Sequence, residues 1–242
     1  MLIRIGDERR EMLDQHLLNL KTKCLDFSKY EADTKSVLIE TLITVITNLP
    51  HKVLVYANFV AFLATENPQF AEEIVQEIVK HLSKCFINDQ NAFASRNIFR
   101  WLSYLVDLRV VSSESVCQLM LNILEEVQKD SKNFPKDLTL HCVLTFLTTE
   151  STSARLQKEQ SIDFGSILEI VKNLFKGSIE RAQTRAKMLG IPNTNSLIQL
   201  WDFYSQSLTK KFPLSSVMLT LSAEKLEELR QKFSDSPVKN LP

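Results

Sequence analysis

Glycine is scarce in this chain, with 4 in 242 residues, and proline is infrequent at 7. Folds built from β-sheets need many tight turns, and those turns usually depend on glycine or on Asn-Gly and Asp-Gly pairs. The shortage argues against a sheet protein and favours long helices joined by short connections. With 44% hydrophobic residues, a chain of this length can bury a sizeable core, in one large domain or two small ones.

The chain also lacks an excess of charge and a long apolar run. Its 29 Lys and Arg residues balance 29 Asp and Glu residues, so no overall field directs it to nucleic acid or anionic lipid. No stretch approaches the roughly 18 apolar residues that a membrane span requires, and residues 1–10 lack the apolar centre of a signal peptide. We expect a soluble, intracellular protein with no membrane contact, which would bind charged partners through local patches.

Paired cysteines and enzyme motifs are missing as well. Cys24, Cys85, Cys117 and Cys142 are far apart, and each lies in an apolar helical pattern, which predicts reduced thiols packed in a core. The chain has no Gly-rich phosphate loop, no Gly-x-Ser-x-Gly and no His-Glu-x-x-His. We predict no metal, no cofactor and no enzymatic activity. The alternative is an enzyme with a dispersed site, for example a deep pocket that holds His141 with an acidic partner.

Apolar residues recur at helical spacing along most of the chain. Asn67 followed by Pro68 is a strong signal for the start of a helix, because proline is favoured at the first helical position. Over residues 51–65 the residue types would suit a strand, but the apolar run is too long for one, so its length predicts a helix. Around residues 150–160 the sequence turns polar and loses this period, which predicts a loop or a frayed helix.

Grouping the predicted helices in consecutive pairs gives repeating units. Their lengths are near the roughly 40 to 47 residues of HEAT and armadillo repeats, and they begin near Asp33, Pro68, Ser113 and Asp163. We therefore predict an all-α fold, an α-α superhelix of stacked antiparallel helix pairs. We expect it to fill residues 1–233, with a tail or linker towards a following domain over 234–242.

Two groups of basic residues are candidates for binding a partner or RNA. Arg96 and Arg100 lie four residues apart on a predicted helix, a spacing that costs a few tenths of a kcal/mol unless an acidic group or a ligand compensates it. Asp107 lies on the same polar stripe, so we favour compensation within the fold over partner binding.

The second group is a basic stretch near the C-terminal third of the chain. It consists of Lys172, Lys176, Arg181, Arg185 and Lys187. Spacings of four within it predict charges along one side of a helix, where they could meet phosphate. Glu169 and Glu180 interrupt the stretch, and aromatic residues are few, whereas single-strand binders combine basic and stacking side chains. A solvated helix face and a site for nucleic acid or an acidic partner are both left open.

Several short segments of the chain share their order and spacing with one family. They are Asn48-Leu49-Pro50, Val55-Tyr56, Phe62-Leu63, Asn67 to Phe70, Arg100 to Val106, Val110-Val111, Leu197-x-x-Leu200-Trp201 and Asn240-Leu241-Pro242. This pattern resembles the amino-terminal domain of the large subunit of the nuclear cap-binding complex, which is related to the middle domain of translation initiation factor 4G. The resemblance runs from about Leu25 to the end and is closest between Thr41 and Val111.

The resemblance implies a HEAT-like, non-catalytic scaffold. In that family a small subunit with an RNA-recognition fold docks on the large subunit and stacks the methylated cap between aromatic rings. Capped RNA would therefore be bound only indirectly, and no cap-binding residue is carried onto this chain. The large subunit recruits factors for mRNA processing, export and nonsense-mediated decay, which implies a nuclear protein that could shuttle to the cytoplasm.

The chain departs from this family in length. It has room for only the first domain, whereas the small subunit docks mainly on later ones, so the resemblance implies a fragment or a truncated relative. Arg100 matches an arginine of the family inside a core motif, which suggests that it orients neighbouring helices. The alternative function is a middle-domain scaffold of translation or RNA decay, which would bind a DEAD-box helicase or RNA directly near Arg181 and Arg185.

Overall fold

A computed structural model describes residues 12–28, 32–86, 91–129, 136–148, 162–190, 196–207, 221–233, 236–239 and 241–242. These residues form ten α-helices, which confirms the predicted all-α fold. In chain order they are α1 (Leu13–Ser28), α2 (Ala32–Asn48), α3 (Val53–Ala64), α4 (Pro68–Lys84), α5 (Ala92–Asp107), α6 (Ser113–Lys129), α7 (Lys136–Leu147), α8 (Ile162–Leu189), α9 (Ser196–Ser207) and α10 (Ala223–Lys232). A short 3-10 turn, Pro50–Lys52, separates α2 from α3.

The helices stack in two layers. The odd-numbered helices α1, α3, α5, α7 and α9 each contact the next one in that series. On the other layer α2 contacts α4 and α6 contacts α8, and the two layers meet within the pairs α2/α3, α4/α5 and α6/α7. This is the predicted α-α superhelix, and its pairs begin near the predicted positions.

Side-chain caps explain where several helices begin. The Asn67 side-chain oxygen accepts a hydrogen bond from the Phe70 amide at 3.0 Å, and that of Asn91 accepts one from the Ala94 amide at 3.1 Å. Each bond satisfies one of the amides that lack a partner in the first turn. The start signal that Asn67 and Pro68 gave in the sequence is confirmed.

Helix α3 is the centre of the core. All twelve of its residues are buried, including the rings of Tyr56 and Phe59, and it contacts helices α1, α2, α4 and α5. A helix surrounded on every side needs no polar face, which is why its sequence alone could also suit a strand. The helix predicted from the length of this apolar run is confirmed.

Within the part of the chain that the structure describes, no single helix is long and apolar enough to cross a membrane. One bent pair, Asp33–Asn48 with Pro50–Ala64 at 109°, meets the length and composition criteria for a span.

The described C-terminal residues lie on the domain, in the segment 234–242 for which the sequence predicted a tail or linker. Val238 is fully buried and forms a parallel bridge with Val111, and Leu241 packs against the core. An aliphatic side chain and a backbone pairing partner hold the described part of this segment on the domain. Asn240 and residues 234–235 lie outside the described residues, as does the predicted loop at 150–160, and the boundary at 233 stays a prediction.

Candidate partner-binding surfaces

Arg96 and Arg100 lie on α5 and are both half-buried. The Arg100 side chain donates a hydrogen bond from Nε to the Tyr104 hydroxyl at 3.3 Å, and its guanidinium carbon lies 5.9 Å from the centre of the Tyr104 ring. Arg100 and Tyr104 are one helical turn apart, so the contact holds the Arg100 side chain along α5. The role of Arg96 and Arg100 in binding stays a prediction.

Asp107, the expected counter-charge on this stripe, forms an ion pair with α10. Its Oδ2 atom accepts a hydrogen bond from the Arg230 guanidinium at 2.5 Å, and its backbone carbonyl accepts one from Arg230 Nε at 3.2 Å. Both side chains are largely shielded from solvent, with 21% and 28% exposed. The pair therefore links the end of α5 to α10.

A second polar contact joins α7 to α8. Asp137 Oδ1 accepts hydrogen bonds from Ser178 Oγ and from the Arg181 guanidinium, each at 2.8 Å. Ser178 is buried, but the Arg181 and Asp137 side chains are 51% and 61% exposed, so their ion pair is worth at most about 1 kcal/mol. Arg181 thus faces α7 and has an acidic partner within the fold.

The basic stretch does not form one continuous stripe, contrary to the sequence prediction. Helix α8 is unbroken from Ile162 to Leu189, and nine residues correspond to two and a half turns of about 3.6 residues. Arg181 therefore lies on the opposite side of α8 from Lys172.

The three lysines of this stretch share one side of α8 with acidic residues. Lys172, Lys176 and Lys187 are exposed, and the helical period places the exposed Glu169 and Glu180 among them. That side carries mixed charge. The Arg185 side chain lies outside the described residues. Whether any of these residues binds a partner stays a prediction.

His141 lies on α7, half-buried, between charges of opposite sign. Burial lowers the pKa of its imidazole, and the positive charge of Arg96 on α5 lowers it further, while Asp137 one turn away on α7 opposes both. The neutral imidazole is therefore favoured in the folded protein.

We expect the stability of the protein to fall as the pH is lowered through the range in which histidine titrates. The unfolded chain takes up a proton at His141 near pH 6.5, whereas the folded chain resists it, so the stabilisation is complete above that pH and is lost as the pH falls through the lower folded pKa. The check is chemical denaturation of the wild type and His141→Gln from pH 7.5 to pH 5, with a weaker pH dependence in the variant. In Arg96→Gln we expect only part of the effect to disappear, because burial is the larger cause.

The four cysteines are buried and none is in a disulfide, which confirms the prediction of core thiols. Burial raises the pKa of the Cys24 thiol to about 11 and raises that of Cys142 as well. Among the described residues, no three His, Cys, Asp or Glu side chains are grouped as metal ligands would be.

Comparison with known protein families identifies the family to which this stack of helices belongs. Residues 9–185 match the MIF4G domain. The chain belongs to the MIF4G domain family. The match covers α1 to most of α8 and stops before α9 and α10.

Curated relatives of this MIF4G domain carry one recurring name. Nuclear cap-binding protein subunit 1 of Gallus gallus is 28% identical over 134 residues, which is 54% of this chain and 16% of the relative. The Aedes aegypti protein of the same name is 25% identical over 165 residues (67% and 20%), and that of Rattus norvegicus is 23% identical over 207 residues (83% and 25%). The chain thus spans a quarter or less of the length of these relatives. The predicted resemblance to the large cap-binding subunit is confirmed.

Proposed function

We propose that this MIF4G domain is a non-catalytic helical scaffold of the nuclear mRNA cap-binding machinery. The observation that carries the proposal is the similarity to nuclear cap-binding protein subunit 1, which in the rat relative extends over 83% of this chain. A two-layer stack of helices supports it, because such stacks present long, rigid surfaces that suit protein partners.

The proposed partners follow from the family. In the context of a full-length protein, the scaffold would support a small cap-binding subunit with an RNA-recognition fold and would contact capped RNA only through it. It would also recruit factors for mRNA processing, export and nonsense-mediated decay. We place this function in the nucleus, with shuttling to the cytoplasm.

The test is a pull-down of the full-length natural protein, analysed by mass spectrometry, with and without a soluble cap analogue. We expect recovery of a subunit with an RNA-recognition motif and retention on cap resin that the analogue abolishes. Recovery of a DEAD-box helicase without cap dependence would replace this proposal with the scaffold of translation or RNA decay.

Charge-reversal variants on the two sides of α8 test whether this domain binds RNA directly. We expect the double variant Arg181→Glu, Arg185→Glu to bind single-stranded RNA as the wild type does, because Arg181 is directed to Asp137. Its free energy of unfolding should change by no more than about 1 kcal/mol, the usual limit for an exposed ion pair. RNA binding is measured by fluorescence anisotropy and stability by urea denaturation.

The matched control is Lys172→Glu, Lys176→Glu, which reverses the same number of charges on the opposite side of α8. A loss of RNA affinity in the arginine variant, with no loss in the lysine variant, would favour direct RNA binding by this domain. Equal losses in both would indicate an effect of net charge alone.

A further inference from the structure

The end of α5 exposes backbone groups for pairing. A Schellman turn closes this helix: Val110 donates its amide to the Leu105 carbonyl at 2.9 Å, and Arg109 donates to the Val106 carbonyl at 3.0 Å. Arg109 takes the left-handed conformation that this turn requires, with φ of 62°. The chain then leaves the helix, so the carbonyl of Val110 and the amide of Ser112 are available to a neighbouring segment.

Val238 binds to those groups. Its amide donates to the Val110 carbonyl at 3.1 Å, and its carbonyl accepts from the Ser112 amide at 3.0 Å. The Val238 side chain is fully buried. Backbone hydrogen bonds can form with any extended peptide, whereas the buried position selects an aliphatic side chain. The same combination is seen when a peptide adds to the edge of a sheet: backbone bonds give affinity and side-chain pockets give specificity.

The following residues reach a cleft between α4 and α6. The Lys239 carbonyl accepts a hydrogen bond from Ser115 Oγ, and Leu241 is partly buried against the core. The cleft has a volume of about 180 Å³ and Pro242 forms one of its walls. The other walls are apolar side chains of α4, of the residues just after it and of α6 (Leu82, Phe86, Leu119 and Ile123) and the polar residues Ser83, Asn122 and Glu126.

We propose that these contacts form a binding site for an extended peptide, which residues 236–239 and 241–242 of this chain occupy as an exchangeable ligand. The site would accept another segment of the same chemistry: an aliphatic residue that pairs with Val110 and Ser112, followed three residues later by Leu-Pro. Its recognition uses backbone bonds and two apolar anchors, which many extended segments supply. The proposal stands apart from the proposed function, because it requires neither a cap nor RNA.

Covalent attachment gives the C-terminal segment a large advantage over a free peptide. A segment tethered by a short linker competes at an effective concentration near the millimolar range. A peptide added to the intact chain should therefore bind on the order of 100-fold more weakly than to a chain in which the tether is cut.

The experiment uses the full chain with a protease site inserted between Phe233 and Ser236. After cleavage, a fluorescent peptide of sequence Ser-Pro-Val-Lys-Asn-Leu-Pro should replace the released segment, as a saturable rise in anisotropy. A peptide with Asp at the position of Val238 should not bind, since it would bury a charge without a partner. Circular dichroism checks that the cleaved chain stays folded.

Two uncleaved variants, Val238→Ala and Leu241→Ala, provide an independent measurement. Each weakens one anchor of the attached segment, so each should bind the fluorescent peptide more tightly than the wild type does. The proposal is overturned if the folded variants show no gain or if the Asp peptide binds as well as the natural one. Unfolding of the cleaved chain would also overturn it, because the segment would then be a fixed part of the core.

Discussion

Replacing Leu102 with alanine is expected to lower the free energy of unfolding by about 2 to 5 kcal/mol. Leu102 is fully buried in α5, the helix that contacts α2, α3, α4 and α7. Removing one methine and two methyl groups there leaves a cavity that four neighbouring helices cannot close without disturbing their own contacts. Urea denaturation at neutral pH measures the change.

The control for this variant is Leu189→Ala at the end of α8. The same atoms are removed, but the Leu189 side chain is 58% exposed, so the free energy of unfolding should change by less than about 0.5 kcal/mol. Similar losses in both variants would contradict the position of Leu102 at the centre of the stack.

Replacing Asn58 with leucine is expected to raise the free energy of unfolding by about 1 to 3 kcal/mol. Asn58 is fully buried in α3, and neither its amide nitrogen nor its amide oxygen has a hydrogen-bond partner among the described residues. Burial of an unpaired amide is costly, and leucine has the same number of side-chain heavy atoms with the same branching, and a better helix propensity. Thermal and urea denaturation both measure the gain.

Asn97→Leu is the matched variant with the opposite expected sign. Asn97 is also buried, but its Nδ2 atom donates to the Thr47 carbonyl at 2.8 Å, in the last turn of α2. Carbonyls in a last turn lack partners within their own helix, so losing this donor should cost about 1 to 3 kcal/mol. If Asn58→Leu destabilised the protein as much as Asn97→Leu does, the Asn58 amide would have to be hydrogen-bonded in solution.

The helices that the sequence predicted best are those with a side-chain cap and a regular apolar period. Helices α4 and α5 begin where Asn67 and Asn91 accept their capping bonds. Such a cap involves residues within four positions of one another, so the local sequence is sufficient to indicate where the helix starts. Helix α1 agrees with the apolar helical pattern predicted around Cys24, since Leu13, Leu17, Leu20 and Cys24 are buried at helical spacing.

The candidate surfaces were harder to predict, because they depend on contacts between distant residues. A spacing of four correctly places Lys172 beside Lys176, but two such pairs can lie on opposite sides of one helix, as the nine residues from Lys172 to Arg181 require. Arg181 pairs with Asp137 and Asp107 pairs with Arg230, and in each pair the partner lies on another helix. The spacing of residues along one helix cannot predict either ion pair.

The attachment of the C-terminal segment was hidden for the same reason. Residues 234–242 contain prolines and polar residues, a composition typical of linkers. Backbone pairing with Val110 and Ser112 depends little on side chains, so the amino-acid composition of the segment does not predict it. Val238 and Leu241, the two aliphatic residues in this otherwise polar stretch, were the available signal.

The ion pair between Asp107 and Arg230 joins residues 123 positions apart. During synthesis, which proceeds from the amino terminus, the first helix pairs can stack on one another as soon as each is complete. The end of α5 must wait for its partner until a further 123 residues have been made, and such distant contacts form slowly because a long loop has to close first. We therefore expect the helices up to α5 to stack before α10 and Val238 are made, which leaves the backbone groups of Val110 and Ser112 without this partner until then.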